Sequence, residues 1–220
     1  MHFEILVEGQ TELTALSILM EKIVGPYDKP HTWKIHKHRG IGKLPENPEV
    51  PRNKKDPTLL YNLPWKLRAY GKDMSRNEMV VVLVDLDDRA DCRTFKQELA
   101  NMLDYCTDRP RCLFRIAIEE LEAWFLGDLA AVEASYPSLI KEELDDYVQD
   151  SQCGTWEKLA DAIHPGGMEA LGSFGKRSAK VLEIKRKWAA KIAPRMEVEH
   201  NRSPSFRSFR DGLRKTIAPT

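Results

Sequence analysis

Six consecutive apolar residues, Met79-Val80-Val81-Val82-Leu83-Val84, run directly into Asp85-Leu86-Asp87-Asp88. No other feature restricts the possible folds of this chain as much. A run that short, rich in β-branched residues and bounded by polar ones, reads as a buried strand of a parallel sheet. Phe3-Glu4-Ile5-Leu6-Val7 has the same form and leads into Glu8-Gly9-Gln10-Thr11-Glu12. A third run, Leu113 to Ile118, leads into Glu119-Glu120-Leu121-Glu122-Ala123-Trp124. Each strand therefore ends in carboxylates, at the edge where open α/β sheets build their sites.

Helical spacing fills the intervals. Gly9 allows a tight turn, and Thr11 is the expected N-cap of a helix over residues 12–24. Leu13, Leu16, Met20 and Ile23 share one face of it, and Gly25-Pro26 ends it. Residues 31–37 alternate weakly, as a second strand. Residues 38–57 hold Gly40, Gly42, Pro45, Pro48, Pro51 and Pro57, so an irregular loop is expected, functional or disordered. Helices follow over residues 57–71, with Pro64 as a kink or early end, and over 92–105, capped by Asp91. The order βαβαβαβ implies an α/β fold with a mostly parallel sheet flanked by helices. Beyond Asp128 only helices and connections are expected, at residues 155–163, 176–193 and 204–216. This divides the chain into an α/β core, 1–127, and a helical extension packed on it, 128–220.

The carboxylates fall into three groups. Glu8 lies just past a strand, with Glu12 about one helical turn on. Asp85 and Asp87 share a side if the chain stays extended, which leaves Asp88 pointing away. Glu120 and Glu122 share a side in extended geometry, whereas Glu119 and Glu122 do so in a helix. The sequence leaves that choice open. Grouped carboxylates repel unless a cation lies between them, and oxygen-only donors suit Mg²⁺ or Mn²⁺.

The 34 Lys and Arg balance the 34 Asp and Glu, but they are partitioned. Residues 119–150 carry ten acids against Lys141, and residues 172–220 carry thirteen Lys and Arg against four acids. Residues 34–55 add seven more Lys and Arg with His36 and His38. Such asymmetry points to a polyanionic partner. Arg39 and Lys43 in the loop, Lys176, Arg177 and Lys180, and Arg207 and Arg210 are the candidate nucleic-acid contacts. The C-terminal basic faces, which include Lys185-Arg186-Lys187, have a second reading. They could pair with the acidic stretch of the same chain or of a second copy. His36 and His38 read as phosphate contacts or a solvated stretch before a metal pair, and Trp124 and Phe125 as core. No run approaches the about 18–20 apolar residues of a membrane span. The start resembles no signal peptide, and the four cysteines lack zinc spacing, so reduced thiols in a cytoplasm are expected.

Val7-Glu8-Gly9 followed by Asp85-Leu86-Asp87 resembles the Toprim fold of topoisomerases, bacterial primases and the overcoming-lysogenisation-defect (OLD) nucleases. The form V-E-G-x-T-E is similar to the OLD branch. The chain also resembles a bacterial Toprim-like family of unknown function at four places: E-G-x-T-E, D-x-D, the E-x-E-A-W segment from Glu120 to Trp124, and Ser203-Pro204-Ser205-Phe206. Its D-x-D lacks the following glycine often seen in topoisomerases and primases, which counts against those activities. The resemblance implies that Asp85 and Asp87 hold Mg²⁺ or Mn²⁺ and that Glu8 is a ligand or general acid/base. It implies that Glu12, Glu120 and Glu122 complete a second metal position. The activity implied is a metal-dependent nuclease or related phosphoryl-transfer enzyme, in bacterial defence, beside a separate ATPase subunit. The alternative is a non-catalytic module that binds nucleic acid or a partner ATPase.

Overall fold

The computed structural model of the chain describes residues 1–175 and 178–218. Four strands form one sheet: β1 (His2–Val7), β2 (Thr32–Lys37), β3 (Glu78–Asp85) and β4 (Cys112–Ala117). All pairings are parallel, in the order β2-β1-β3-β4. Three helices make the crossovers: α1 (Gln10–Val24), α2 (Leu59–Asp73) and α3 (Cys92–Asn101). The rest of the chain adds α4 (Glu122–Leu126), α5 (Leu129–Ser135), α6 (Thr155–Ile163), α7 (Gly167–Leu171), α8 (Ala179–Ile192) and α9 (Pro204–Ile217). The expected α/β fold is the observed one.

Strand alternation sorts the apolar side chains into two cores. Phe3, Ile5 and Val7 of β1 and Met79, Val81 and Leu83 of β3 pack with α1, α4, α6, α8 and α9. Leu6, Val80, Val82 and Val84 face the other way, against α2 and α3. The helices beyond residue 127 thus close one face of the sheet together with α1. Trp124 and Phe125 are fully buried in that core, as expected.

Several local expectations give way to turn chemistry. Gly9, not Thr11, stands at the N-cap of α1, and Thr11 is buried inside the helix. Asp91 caps α3 as expected, accepting the N–H groups of Arg93 and Thr94. The helix expected over 92–105 tightens to a 3₁₀ turn at Met102–Tyr105. Helix α2 runs on through Pro64 to Asp73. Among the described residues, no helix is long and apolar enough to cross a membrane.

The long loop is irregular but firmly tied. Leu59 N–H donates to Gly40 O (3.1 Å) and Leu60 N–H to Ile41 O (2.8 Å), while Arg68 bonds the Pro48, Glu49 and Val50 carbonyls. Gly42, at φ +69°, passes so close to α2 that a Cβ there would lie 2.1 Å from Thr58 Oγ1.

Candidate functional site

In the order β2-β1-β3-β4 the winding reverses between β1 and β3. At such a switch point the crossover helices diverge and leave a crevice beyond the carboxyl ends of the strands. Glu8 and Asp85 stand on either side of it. The Asp85 N–H donates to Glu8 Oε1 at 2.7 Å, which couples the ends of the two strands. Asp85 Oδ1 is buried and has no hydrogen-bond partner. Burial raises the Asp85 pKa well above the usual carboxylate range, and the charges of Glu8, Glu12, Glu120 and Glu122 add to it. Glu8 is also raised well above that range, first by burial and then by Glu12; Glu12 is raised by burial. The five carboxylates therefore form one electrostatic cluster.

One cation lies inside it. Lys185, from the middle of α8, places Nζ 2.5 Å from Glu120 Oε2 and 3.2 Å from Glu122 Oε2. All three residues are buried. Burial works against the ammonium, but Glu122 and Glu120 outweigh it and raise the Lys185 pKa. Two carboxylates sharing one ammonium cannot both be fully compensated, and burial pushes Glu122 up to about 7 despite Lys185. In sequence Lys185 belongs to a basic run with Arg186 and Lys187. Helical phase separates it from them: Val181, Lys185, Trp188, Ala189 and Ile192 are the buried residues of α8, so one lysine lies in an apolar stripe.

Asp87 and Glu119 leave the extended geometry that the alternation argument assumed. Both have positive φ, +50° and +58°, and the Asp87 N–H donates to Glu119 O at 2.9 Å. Asp85 and Asp87 are consequently not on one side of a continuing strand. Asp87 sits in a turn, with Arg89 4.0 Å from its carboxylate, and Asp88 is exposed. Glu119 turns outward to the start of α6, where it accepts the N–H groups of Cys153, Gly154 and Thr155 and the Thr155 hydroxyl. This resolves the open choice: Glu120 and Glu122 face the cluster, and Glu119 holds the α6 entry.

The two outlying sequence motifs meet beneath the site. Trp124 Nε1 donates to Ser205 Oγ at 3.0 Å, and the Trp124 ring packs edge-on to Phe206. Asp150 accepts from the Ser203 hydroxyl and the Ser205 N–H, and Asn201 Nδ2 donates to Trp124 O.

The basic candidates have mixed placements. Arg39 and Lys43 are exposed on the loop. Lys180 is exposed and lies over the Phe174 ring, and Arg207 is exposed on α9. Arg210 is taken up by Val198 O and by Asp211 and Glu199. Lys176 and Arg177 lie outside the described residues. His36 contacts Glu4, and His38 Nδ1 bonds Val7 O at 2.8 Å, so the two do not form a metal pair.

The oxygen-only donor set fits a divalent cation such as Mg²⁺ or Mn²⁺, and the buried unpartnered Asp85 Oδ1 is the observation that supports this fit. Among the described residues, no three His, Cys, Asp or Glu side chains stand as a ready coordination sphere. Glu8 gives one oxygen to the Asp85 N–H, and Lys185 engages Glu120 and Glu122. No curated protein and no solved structure matches the chain. One family model, described as a domain of unknown function (DUF4276), matches residues 7–214, nearly the whole chain. The chain belongs to the DUF4276 family.

Proposed function

We propose that the chain is a Mg²⁺- or Mn²⁺-dependent phosphoryl-transfer enzyme that hydrolyses phosphodiesters of nucleic acid. The observation that carries this reading is the buried, unpartnered carboxylate oxygen of Asp85 beside Glu8, at the switch point of a parallel sheet. A buried carboxylate without a partner is costly, and one that other carboxylates also push toward protonation is costlier still. Asp85 and Asp87 are the residues that would hold the cation, with Glu8 beside them as general acid. The cation would neutralise charge developing on a phosphodiester.

The chain's own groups divide the remaining work. Glu8 Oε1 accepts the Asp85 N–H, so a proton on Glu8 belongs on Oε2. Burial and the charge of Glu12 raise its pKa well above the usual carboxylate range, the direction that a general acid for a leaving oxygen requires. Lys185 supplies the positive charge that Glu120 and Glu122 would otherwise require of a second ion. The site proposed is accordingly one cation plus one ammonium.

The test is Mn²⁺ calorimetry on the intact chain and on Asp85→Asn/Asp87→Asn, followed by cleavage assays on DNA and RNA. The expected result is binding near one ion per chain in the first protein and none in the second. Equal behaviour of the two folded proteins would overturn the metal site and favour a non-catalytic binding module.

A further inference from the structure

A second polar feature opens beside the carboxylate cluster, and nothing in the metal site uses it. It is a cleft of about 500 Å³ lined by the end of β2, the long loop and the first turns of α2. His36, Lys37, His38, Arg39, Arg52, Lys54 and Lys66 line it, and among the described residues Asp56 is its only acid. Asp56 is occupied, accepting the Thr58 N–H at 3.0 Å and the Thr58 hydroxyl at 2.5 Å. Glu4, whose charge reaches Lys66, is already engaged by His2, His36 and Tyr70. Among the described residues, Lys54 and Lys66 meet no acid within ion-pair distance, and Arg52 contacts only the Trp65 ring, at 5.6 Å.

This arrangement costs energy. Burial lowers the Lys66 pKa, and Arg52 lowers it further. Cations gathered in a concave wall repel one another and concentrate a positive potential in it. An anion in the cleft would relieve both effects. Its volume lies within the about 300–1,000 Å³ typical of small-ligand sites.

The loop also joins the cleft to the carboxylates. His38 N–H donates to Val7 O (3.1 Å) and Gly40 N–H to Glu8 O (3.0 Å), so both neighbours of Arg39 are bonded to the end of β1. Arg39 N–H itself donates to Pro57 O at 3.2 Å. Gly40, at φ +92°, makes the bend that lets the loop cross Glu8.

We infer that this cleft is a phosphate-binding subsite, which holds a backbone phosphate of the nucleic-acid strand whose scissile phosphodiester lies at Glu8 and Asp85. The inference rests on the proposed nucleic-acid substrate and specifies where the strand is gripped. Arginine and lysine at the cleft supply affinity without reading sequence, as phosphate contacts do.

The experiment measures binding of a short fluorescent single-stranded DNA to the full chain, in chelator, across a salt series. Arg52→Gln/Lys66→Gln is compared with the unaltered chain. Arg39→Gln/Lys54→Gln, a pair of exposed residues, guards against misfolding. The expected result for each pair is about a tenfold loss of affinity at moderate salt. The slope of log K against log salt should fall by about 1.4, or about 0.7 per cation removed. Mn²⁺ binding should be unchanged. Unaltered DNA affinity and slope in both variants would overturn the inference. So would direct binding of inorganic phosphate that is lost in Arg52→Gln/Lys66→Gln, in a chain that binds no DNA, since that assigns the cleft to a small phosphate ester. Loss of DNA binding in the variants of a chain that binds no Mn²⁺ would leave the cleft standing and remove the metal reading alone.

Discussion

Lys185 Nζ lies 2.5 Å from Glu120 Oε2, so a helix near the C-terminus neutralises a carboxylate that follows the last strand of the sheet. Removing one partner of a buried ion pair leaves a charge with neither water nor counterion. Lys185→Met is therefore expected to destabilise the fold by about 3–5 kcal/mol. Adding Glu120→Gln and Glu122→Gln to that variant should recover most of the loss, because no buried charge is then left uncompensated. Urea unfolding of the three proteins tests this. A Lys185→Met protein as stable as the parent would mean that the ammonium is not what holds these acids in place.

The cluster should also make stability fall as pH rises. Asp85 and Glu8 are raised well above the usual range, and Glu122 is pushed to about 7, in each case mainly by burial. The unfolded chain loses the same protons near pH 4. Between about 4 and 7 the folded chain thus holds protons that the unfolded chain has released, and stability declines with pH over that window. Below about 4 both states are protonated and the penalty is absent; the Glu122 share is complete above about 7, and Asp85 and Glu8, raised in the same direction, add to the decline. Urea midpoints measured in chelator from pH 5 to pH 8 should decline, and Asp85→Asn should flatten the decline. An identical slope in that variant would rule out Asp85 as a contributor.

Divalent binding should run against the same protons. Ligand carboxylates must be ionised, and burial raises the Asp85 pKa, so Mn²⁺ uptake is expected to release protons and to strengthen as pH rises. Calorimetry in buffers of different ionisation enthalpy reads the proton count directly. Asp85→Asn, which removes repulsion as well as a ligand, should raise the stability of the metal-free protein by about 1–2 kcal/mol while abolishing binding. A variant that loses both stability and binding would point to a structural role for Asp85.

The fold was legible because its signals are local. Val80, Val81 and Val82 declare a buried strand, and the spacing of Leu16, Met20 and Ile23 declares a helix face. The candidate site was legible only as a set of acids. Which of Glu119, Glu120 and Glu122 turns inward depends on a positive φ at Glu119, stabilised by N–H groups more than thirty residues further along. No spacing rule reaches that far. The role of Lys185 was hidden differently: Arg186 and Lys187 beside it made a charge run, while its helical phase with Val181 and Trp188 made it core.

The junction beneath the site offers a last test of packing. At Gly127 an added Cβ would lie 2.3 Å from Asn201 Oδ1 and 2.9 Å from the Ser203 backbone nitrogen. Asn201 cannot simply move aside, because its Oδ1 accepts the Ser203 N–H and its Nδ2 donates to Trp124 O. Gly127→Ala should cost about 1–3 kcal/mol through overpacking. Gly172→Ala is the control: its backbone is right-handed helical and nothing lies within 4 Å of the added Cβ, so it should be neutral or slightly stabilising. If both variants unfold at the parent's urea midpoint, the contact between the Glu120–Trp124 and Ser203–Phe206 segments is looser than these distances require. A loss confined to Gly127→Ala would show instead that Asn201 and Ser203 pack as closely on Gly127 as these distances require.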